Sequence, residues 1–437
     1  MKRKIEIEIK EWFASNQSKP LIIHGARQVG KTYIVRSFAK EMNLKCVEIN
    51  FEKDISFVDL FNRTRNPQDI LDFLRLSFLD TEFDTSTILF LDEIQAAPSA
   101  LTALKFLSES FPCRIIASGS ALGVAIASSS YPVGYVETKI MTPMTFMEFL
   151  WAMSVPEDII ESMKSSLQTL TPLPTIIHEK LNDLYTKYIL VGGMPEVVKS
   201  YVTNQSFKDT YSIQKHLVND YYNDMAKYAQ GSERIKVREC YQSLPSQLAK
   251  DNKKFQYKLV KKGAGSRHYE SSLQWLEDSH MIIKTLRLNN TAFPIESNVD
   301  ISSFKVYLSD TGLLVSLFGE EIIQNILNDS STIKGSFYEN SIAQTIKSSH
   351  KTSYYYEPNQ HSEVDFIIKY EGQMCPIEVK SSHHKLSRSF TNFVQSVKPK
   401  LSVRLSNKNI GFDEHHHTFY IPHYLFELFL LQEKPLL

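Results

Sequence analysis

Gly25, Gly30, Lys31 and Thr32 occupy the spacing G-x-x-x-x-G-K-[ST] within LIIHGARQVGKT, residues 21–32. Those residue types suit phosphate binding. Two glycines let the backbone turn sharply, so that consecutive N–H groups converge on phosphate oxygens. A lysine ammonium meets the β- and γ-phosphates, and the following hydroxyl can hold Mg²⁺. The whole stretch Gly25, Ala26, Arg27, Gln28, Val29, Gly30, Lys31 and Thr32 is the candidate nucleotide-binding loop. The alternative is an ordinary strand–helix turn that happens to contain glycine.

A second chemical signal is TILFLDEIQ, residues 87–95, in which four apolar residues lead into Asp92 and Glu93. An acid at the end of a buried strand stands where open α/β sheets bind ligands. Asp92 is the candidate partner of Thr32 for Mg²⁺, and Glu93 the candidate for orienting or deprotonating a hydrolytic water. An acidic pair at this point argues for hydrolysis rather than small-molecule phosphorylation. Ser118 and Ser120 leave the next apolar strand, where a polar side chain would meet the γ-phosphate or simply cap a helix.

These groups need a scaffold, and the pattern supplies one. Residues 1 to about 145 alternate strand-like and helix-like segments, as in a parallel sheet covered by helices. The apolar run 21–23 is the first strand, and 45–52, 87–92, 113–122 and 136–142 are the others. Residues 146–230 read as mostly helical, with Gly192 and Gly193 ending a helix before Pro195. From 231 to 300, short helices precede the strand-like 281–288. Tyr269, Leu273 and Leu276 recur on one helical face, opposite Arg267, Glu270 and Gln274. Residues 301–437 form another α/β unit, with a hairpin turning at Glu371–Gly372 and a covering helix marked by Leu386, Phe390, Phe393 and Val397.

Composition bounds the reading. A chain of 437 residues holds about three domains. Lys plus Arg equals Asp plus Glu at 49 each, so any basic nucleic-acid surface must be local. Cys46, Cys113, Cys240 and Cys375 are widely spaced, which fits reduced thiols in the cytoplasm rather than disulfides or a zinc site. The basic N-terminus lacks the apolar segment of a signal peptide, and no apolar run reaches membrane-spanning length, so no membrane partner is expected. His383, His384 and His415–His417 lack metal-site spacing and read as solvated side chains.

GARQVGKT, NFE, FLDEIQ, ASGSAL and PVGYVETKIMTPMTFMEFL together resemble a prokaryotic family of AAA-type ATPases with a C-terminal region of unknown function. LVGGMPEVV, NDYYNDMAKYA, FKVYLSDTGLL, GSFYENSIAQ, EVDFII and PIEVKSS continue the resemblance along almost the whole chain. The resemblance implies an α/β fold with ATP and Mg²⁺ as cofactors. Its P-loop ATPase core covers 1–145, a helical lid 146–230, a winged-helix-like domain 231–300 and a nuclease-like domain 301–437. It implies a sensor role for Ser118 and Ser120, and assembly with copies of itself through an arginine borrowed from a neighbour, which no residue here marks. A basic residue is expected where Tyr135 stands.

Asp365, followed by Glu378 and Lys380 on the next strand, resembles the PD-(D/E)xK core of restriction-type endonucleases. Period-two alternation places Glu378 and Lys380 on one face. The resemblance implies Mg²⁺ on Asp365 and Glu378, Lys380 positioning or activating water, and Glu339 as an extra acid from the preceding helix. An ordinary solvent-facing alternation is the other reading of E-V-K. The winged-helix resemblance and the basic KKFQYKLVKKG allow DNA contact, although such domains also dock proteins. Two functions stay open: ATP-driven action on DNA, or an ATP-dependent switch or docking scaffold whose nuclease-like domain is inert.

Overall fold

The computed structural model describes residues 1–15, 19–120, 131–228, 231, 233–250, 252–330, 332–359, 362–381 and 388–432. Ala121, Leu122, His383, His384 and Leu386 lie outside the described residues. The chain divides into two compact units. The first comprises residues 1–143 with 274–281, and the second comprises 144–273 with 282–437.

In the first unit, α1 (Ile5–Ala14) precedes β1 (Leu21–His24), α2 (Lys31–Glu41) and β2 (Lys45–Asn50). Then come α3 (Ile55–Arg63), α4 (Pro67–Ser77), β3 (Thr87–Asp92), α5 (Pro98–Ser110), β4 (Arg114–Gly119) and β5 (Glu137–Ile140). The five strands stand in the order β2-β3-β4-β1-β5, and every pairing is parallel. Parallel strands need helical crossovers, which cover both sheet faces, so β3 is buried at all six positions. Ile22, Val47, Leu89, Leu91 and Ile115 pack with Leu101 and Leu104 in one apolar cluster. Each such side chain stabilises the unit by about 1.5–3 kcal/mol. Order and direction together bring the C-terminal ends of β1, β2, β3 and β4 to one edge.

The second unit begins with helices. Phe146–Ala152 opens with a capping box in which Thr145 and Glu148 satisfy each other's backbone N–H groups. The helix Thr175–Val191 ends at Gly192, and Pro195 occupies the first turn of Pro195–Asn204. Longer helices, Phe207–Tyr228 and Glu233–Leu248, follow. On the helix Ser266–Asp278, whose residues from 274 onward belong to the first unit, Tyr269, Leu273 and Leu276 are buried, while Arg267, Glu270 and Gln274 are exposed.

Eight strands complete the second unit. They are β6 (Ile282–Leu288), β7 (Val299–Leu308), β8 (Ser353–Asn359), β9 (Ser362–Tyr370), β10 (Gln373–Val379), β11 (Ser402–Ser406), β12 (Gly411–Asp413) and β13 (Thr418–Pro422). Their order is β12-β13-β11-β10-β9-β8-β6-β7. The β6–β7 ribbon, which the sequence assigns to a winged-helix-like segment, pairs through β6 with β8, Leu286 opposite Tyr354. It therefore shares one sheet with the hairpin β9–β10. A boundary at residue 300 falls within β7. The helix Lys334–Ser348 packs on this sheet, and Arg388–Val397 lays Phe390, Phe393 and Val394 against Val364 and Ile367.

Candidate active site

Each part of the phosphate loop has a positioning cause. Gly25 is at φ 155°, and a Cβ there would lie 2.0 Å from the Met141 carbonyl oxygen, so only glycine fits. Gly30, at φ 99°, precedes the first turn of α2. Gln28 adopts a left-handed backbone at φ 63°. Lys31 is buried, and its Nζ donates to the carbonyls of Gly25 at 3.0 Å and Ala26 at 2.8 Å. Its ammonium therefore sits inside the curve of the loop. Arg27 lies 3.9 Å from Glu52, the acid that follows β2.

Asp92 ends β3 with both oxygens engaged by neutral donors. Thr32 Oγ1 donates to Oδ2 at 2.9 Å, and Asn50 Nδ2 reaches the same oxygen at 3.3 Å. The Ser118 hydroxyl and the Glu93 N–H donate to Oδ1. Glu93 has a left-handed backbone, φ 53°, which turns its side chain out of the strand direction. Gln95 Nε2 donates to Glu93 Oε2 at 2.5 Å and approaches Ser120 Oγ at 3.4 Å. Thr32, Asp92, Glu93, Ser118, Ser120 and Lys31 thus gather at the C-terminal edge of the sheet. Thr32 and Asp92 are a hydroxyl–carboxylate pair in direct contact, and this hard-oxygen donor set fits Mg²⁺.

Sequence reasoning did not single out Asn50, Gln95 or Arg3. Asn50 lies in the NFE stretch and Gln95 in FLDEIQ, so their neighbourhood was marked although their roles were not. Arg3 had no signal. It is buried, and it donates from Nη1 to Val29 O at 2.9 Å and from Nη2 to Thr142 O at 2.7 Å. The Lys105 ammonium lies 4.8 Å from the Tyr135 ring centroid.

The second unit carries the other charged cluster. Asp365 Oδ2 accepts the Val379 N–H at 2.8 Å, which joins the Asp365 end of β9 to the Glu378 end of β10. Glu378 is buried, with Lys380 Nζ 3.0 Å from Oε1 and Arg404 Nε 2.7 Å from Oε2. Glu339 projects from the helix Lys334–Ser348 and meets Lys253 Nζ at 2.6 Å and the Tyr307 hydroxyl at 3.3 Å. Glu363 pairs with the buried Lys305. Glu378 and Lys380 do share a face, and the charge of Glu339 acts on Asp365.

Charges there tune one another. Desolvation, reinforced by the charge of Glu339, raises the Asp365 pKa. Desolvation opposes ionisation of Glu339 too, but Lys253 and Lys305 hold its pKa below the ordinary value. Desolvation likewise works against the Lys380 ammonium, yet Asp365 and Glu378 hold its pKa above normal. Both Glu378 oxygens are taken by cations, and among the described residues no group of three or more His, Cys, Asp or Glu could hold a metal. As arranged, Glu378 is charge-compensated by Lys380 and Arg404. Lys253, from the basic stretch KKFQYKLVKKG, is turned onto Glu339.

The sequence reads Gly192, Gly193 and Pro195 as a turn facing the nucleotide or as a plain link between helices. Here they belong to a packed joint. The Gly193 N–H donates to Asp310 Oδ2 at 2.6 Å, and a Cβ on Gly193 would lie 2.1 Å from the Met144 carbonyl oxygen. Burial raises the Asp310 pKa to about 6, partly offset by the backbone N–H groups of Gly193, Leu313 and Gly312. Among the histidines, His416 pairs with Asp413 at 2.9 Å, while His415 and His417 are exposed. All four cysteines are free thiols. Among the described residues, no helix is long and apolar enough to cross a membrane.

Comparison with known proteins matches residues 17–150 to an AAA domain, 182–322 to a domain of unknown function (DUF8612) and 334–424 to a domain of unknown function (DUF4143). No curated protein matches the chain. Similar solved structures include the Walker-type ATPase PABY2304 of Pyrococcus abyssi, 15% identical with a TM-score of 0.43 over 73% of this chain and 96% of that one. The Orc1 protein of Aeropyrum pernix in complex with DNA is 10% identical, with a TM-score of 0.29 over 75% of this chain and 93% of that one. Loop, strand order and the AAA match agree: the first unit has the P-loop fold of an AAA-type ATPase core, and a mixed-sheet α/β unit continues the chain.

Proposed function

We propose that the chain hydrolyses ATP at the Gly25–Thr32 loop. The observation that carries this reading is the Thr32–Asp92 contact at 2.9 Å, with Lys31 inside the loop beside it. Loop N–H groups and Lys31 bind the triphosphate and offset its charge. Bound Mg²⁺, held by Thr32 and Asp92, would supply further neutralisation of the phosphate oxygens. Ser118 and Asn50 keep Asp92 oriented through hydrogen bonds that leave its negative charge intact. Glu93, steadied by Gln95, orients the attacking water and takes up its proton. Ser120 stands beside Gln95, within reach of the same space. Lys31→Ala is expected to abolish ATP turnover, and wild-type turnover in that variant would remove the assignment.

For the second unit we favour a nucleotide-controlled switch or docking platform over DNA cutting. Its support is the ion pairing of Glu378, Glu339 and Glu363, which compensates the charges a metal would need. The DNA-cutting reading keeps one observation in its favour: Asp365, Glu378 and Lys380 meet at adjacent strand ends, with Glu339 coupled to Asp365. A DNA-cleavage assay with Mg²⁺ compares wild type, Asp365→Ala and Glu378→Ala. Equal products in all three exclude cutting by this cluster, whereas loss in both variants overturns the platform reading. The lid, winged-helix-like and nuclease-like divisions, and self-assembly, belong to this proposal.

A further inference from the structure

A cavity of about 580 Å³ lies between the helix Arg388–Val397 and strands β11–β13, lined by Arg388, Thr391, Arg404, Asp413, His416 and Tyr420 among others. Its size suits a ligand of nucleotide dimensions. Arg404 is the chemical centre. It is buried, and its guanidinium carbon lies 5.3 Å from the Phe390 ring centroid and 5.6 Å from that of Tyr420. Nε makes the strong bond, to Glu378. The outer edge is weakly engaged: Nη1 reaches the Tyr420 hydroxyl and Nη2 the Thr391 hydroxyl, both at 3.4 Å. These contacts exceed the 2.7–3.2 Å range of a good N–H···O bond, so the fork keeps donor capacity on the cavity side.

We propose that this cavity binds a small phosphate ester through the outer edge of Arg404, with Arg388 adding charge and the Thr391 and Tyr420 hydroxyls completing the contacts. A planar guanidinium suits two oxygens of one oxyanion. Asp413, also on the cavity lining, accepts a hydrogen bond from His416 Nδ1 at 2.9 Å. Because Glu378 and the ligand draw on one guanidinium, each weakens the other's hold on it. The proposal concerns binding alone and holds whether or not the second unit cuts DNA.

Calorimetric titration of the full-length Lys31→Ala chain, whose phosphate loop is disabled, tests it with inorganic phosphate and AMP as probes. One-to-one binding is expected, weakened about tenfold by Arg404→Lys and severalfold by Arg388→Ala. Glu378→Gln is expected to tighten it about tenfold, by removing the competing carboxylate. Equal affinities identify the phosphate group as the ligand, while tighter AMP binding adds the nucleoside. Absence of binding up to about ten millimolar overturns the proposal. So does binding that ignores Arg388→Ala, an exposed position whose variant stays informative even if Arg404→Lys or Glu378→Gln misfolds.

Discussion

Asp92 in the first unit and Glu378 in the second are both buried acids at the end of a buried strand, yet their surroundings differ in kind. Thr32, Asn50, Ser118 and the Glu93 N–H hold Asp92 with neutral donors. Lys380 and Arg404 hold Glu378 with full positive charges. Neutral donors orient a carboxylate and leave its charge available to a cation from solution. Cationic partners cancel that charge, and the pair becomes part of the fold's own support. A strand-terminal acid is therefore no guide to metal binding until its partners are known.

The sharpest way to break this contrast is at Glu93. Glu93→Gln is expected to preserve ATP binding while lowering turnover by about 10²–10⁴-fold, read from single-turnover kinetics. Turnover within tenfold of wild type would remove Glu93 from the chemistry. In the second cluster the large effect should be on stability. Lys253→Met removes the nearest cation from Glu339, leaving Lys305 and the Tyr307 hydroxyl, at a cost of up to about 3 kcal/mol, visible as a lowered thermal midpoint. Replacing both residues by apolar ones should recover most of that loss, and failure to recover contradicts charge compensation as the cluster's role.

Asp310 offers a pH-dependent test at about 3 kcal/mol or less. Its folded pKa of about 6 lies above the ordinary 3.8, so the folded chain binds more protons between those values. The resulting stability is full below about pH 4 and declines as pH rises through 6. Thermal midpoints of wild type should therefore fall relative to Asp310→Asn across that window, and parallel curves would refute the shift. Smallest is Gln95→Ala, expected to slow turnover severalfold with little change in stability, since it steadies Glu93 at one hydrogen bond.

Local pattern made the first unit readable. The loop, the burial of 87–92 and the helix after Lys31 are each encoded within about a dozen residues, by glycine spacing, an apolar run and helical periodicity. The partners of the charged groups were not readable. Arg404 meets Glu378 across 26 residues and Lys253 meets Glu339 across 86, separations with no periodic signature. The sheet shared by β6–β7 and β8–β13 was hidden for the same reason: a ribbon's own alternation shows that it pairs, but not what lies beyond its edge. Gly192 and Gly193 were visible as a helix stop, while their packing against Asp310 depended on a residue more than a hundred positions away.

Arg3 ties the carbonyl of Val29, inside the phosphate loop, to that of Thr142, which lies 139 residues further along than Arg3 itself. During synthesis the loop's residues leave the ribosome early, but this tether cannot close until Thr142 has emerged. The nascent chain therefore carries the phosphate-loop residues well before this tether can form. The tether closes late, together with the last strand of the sheet.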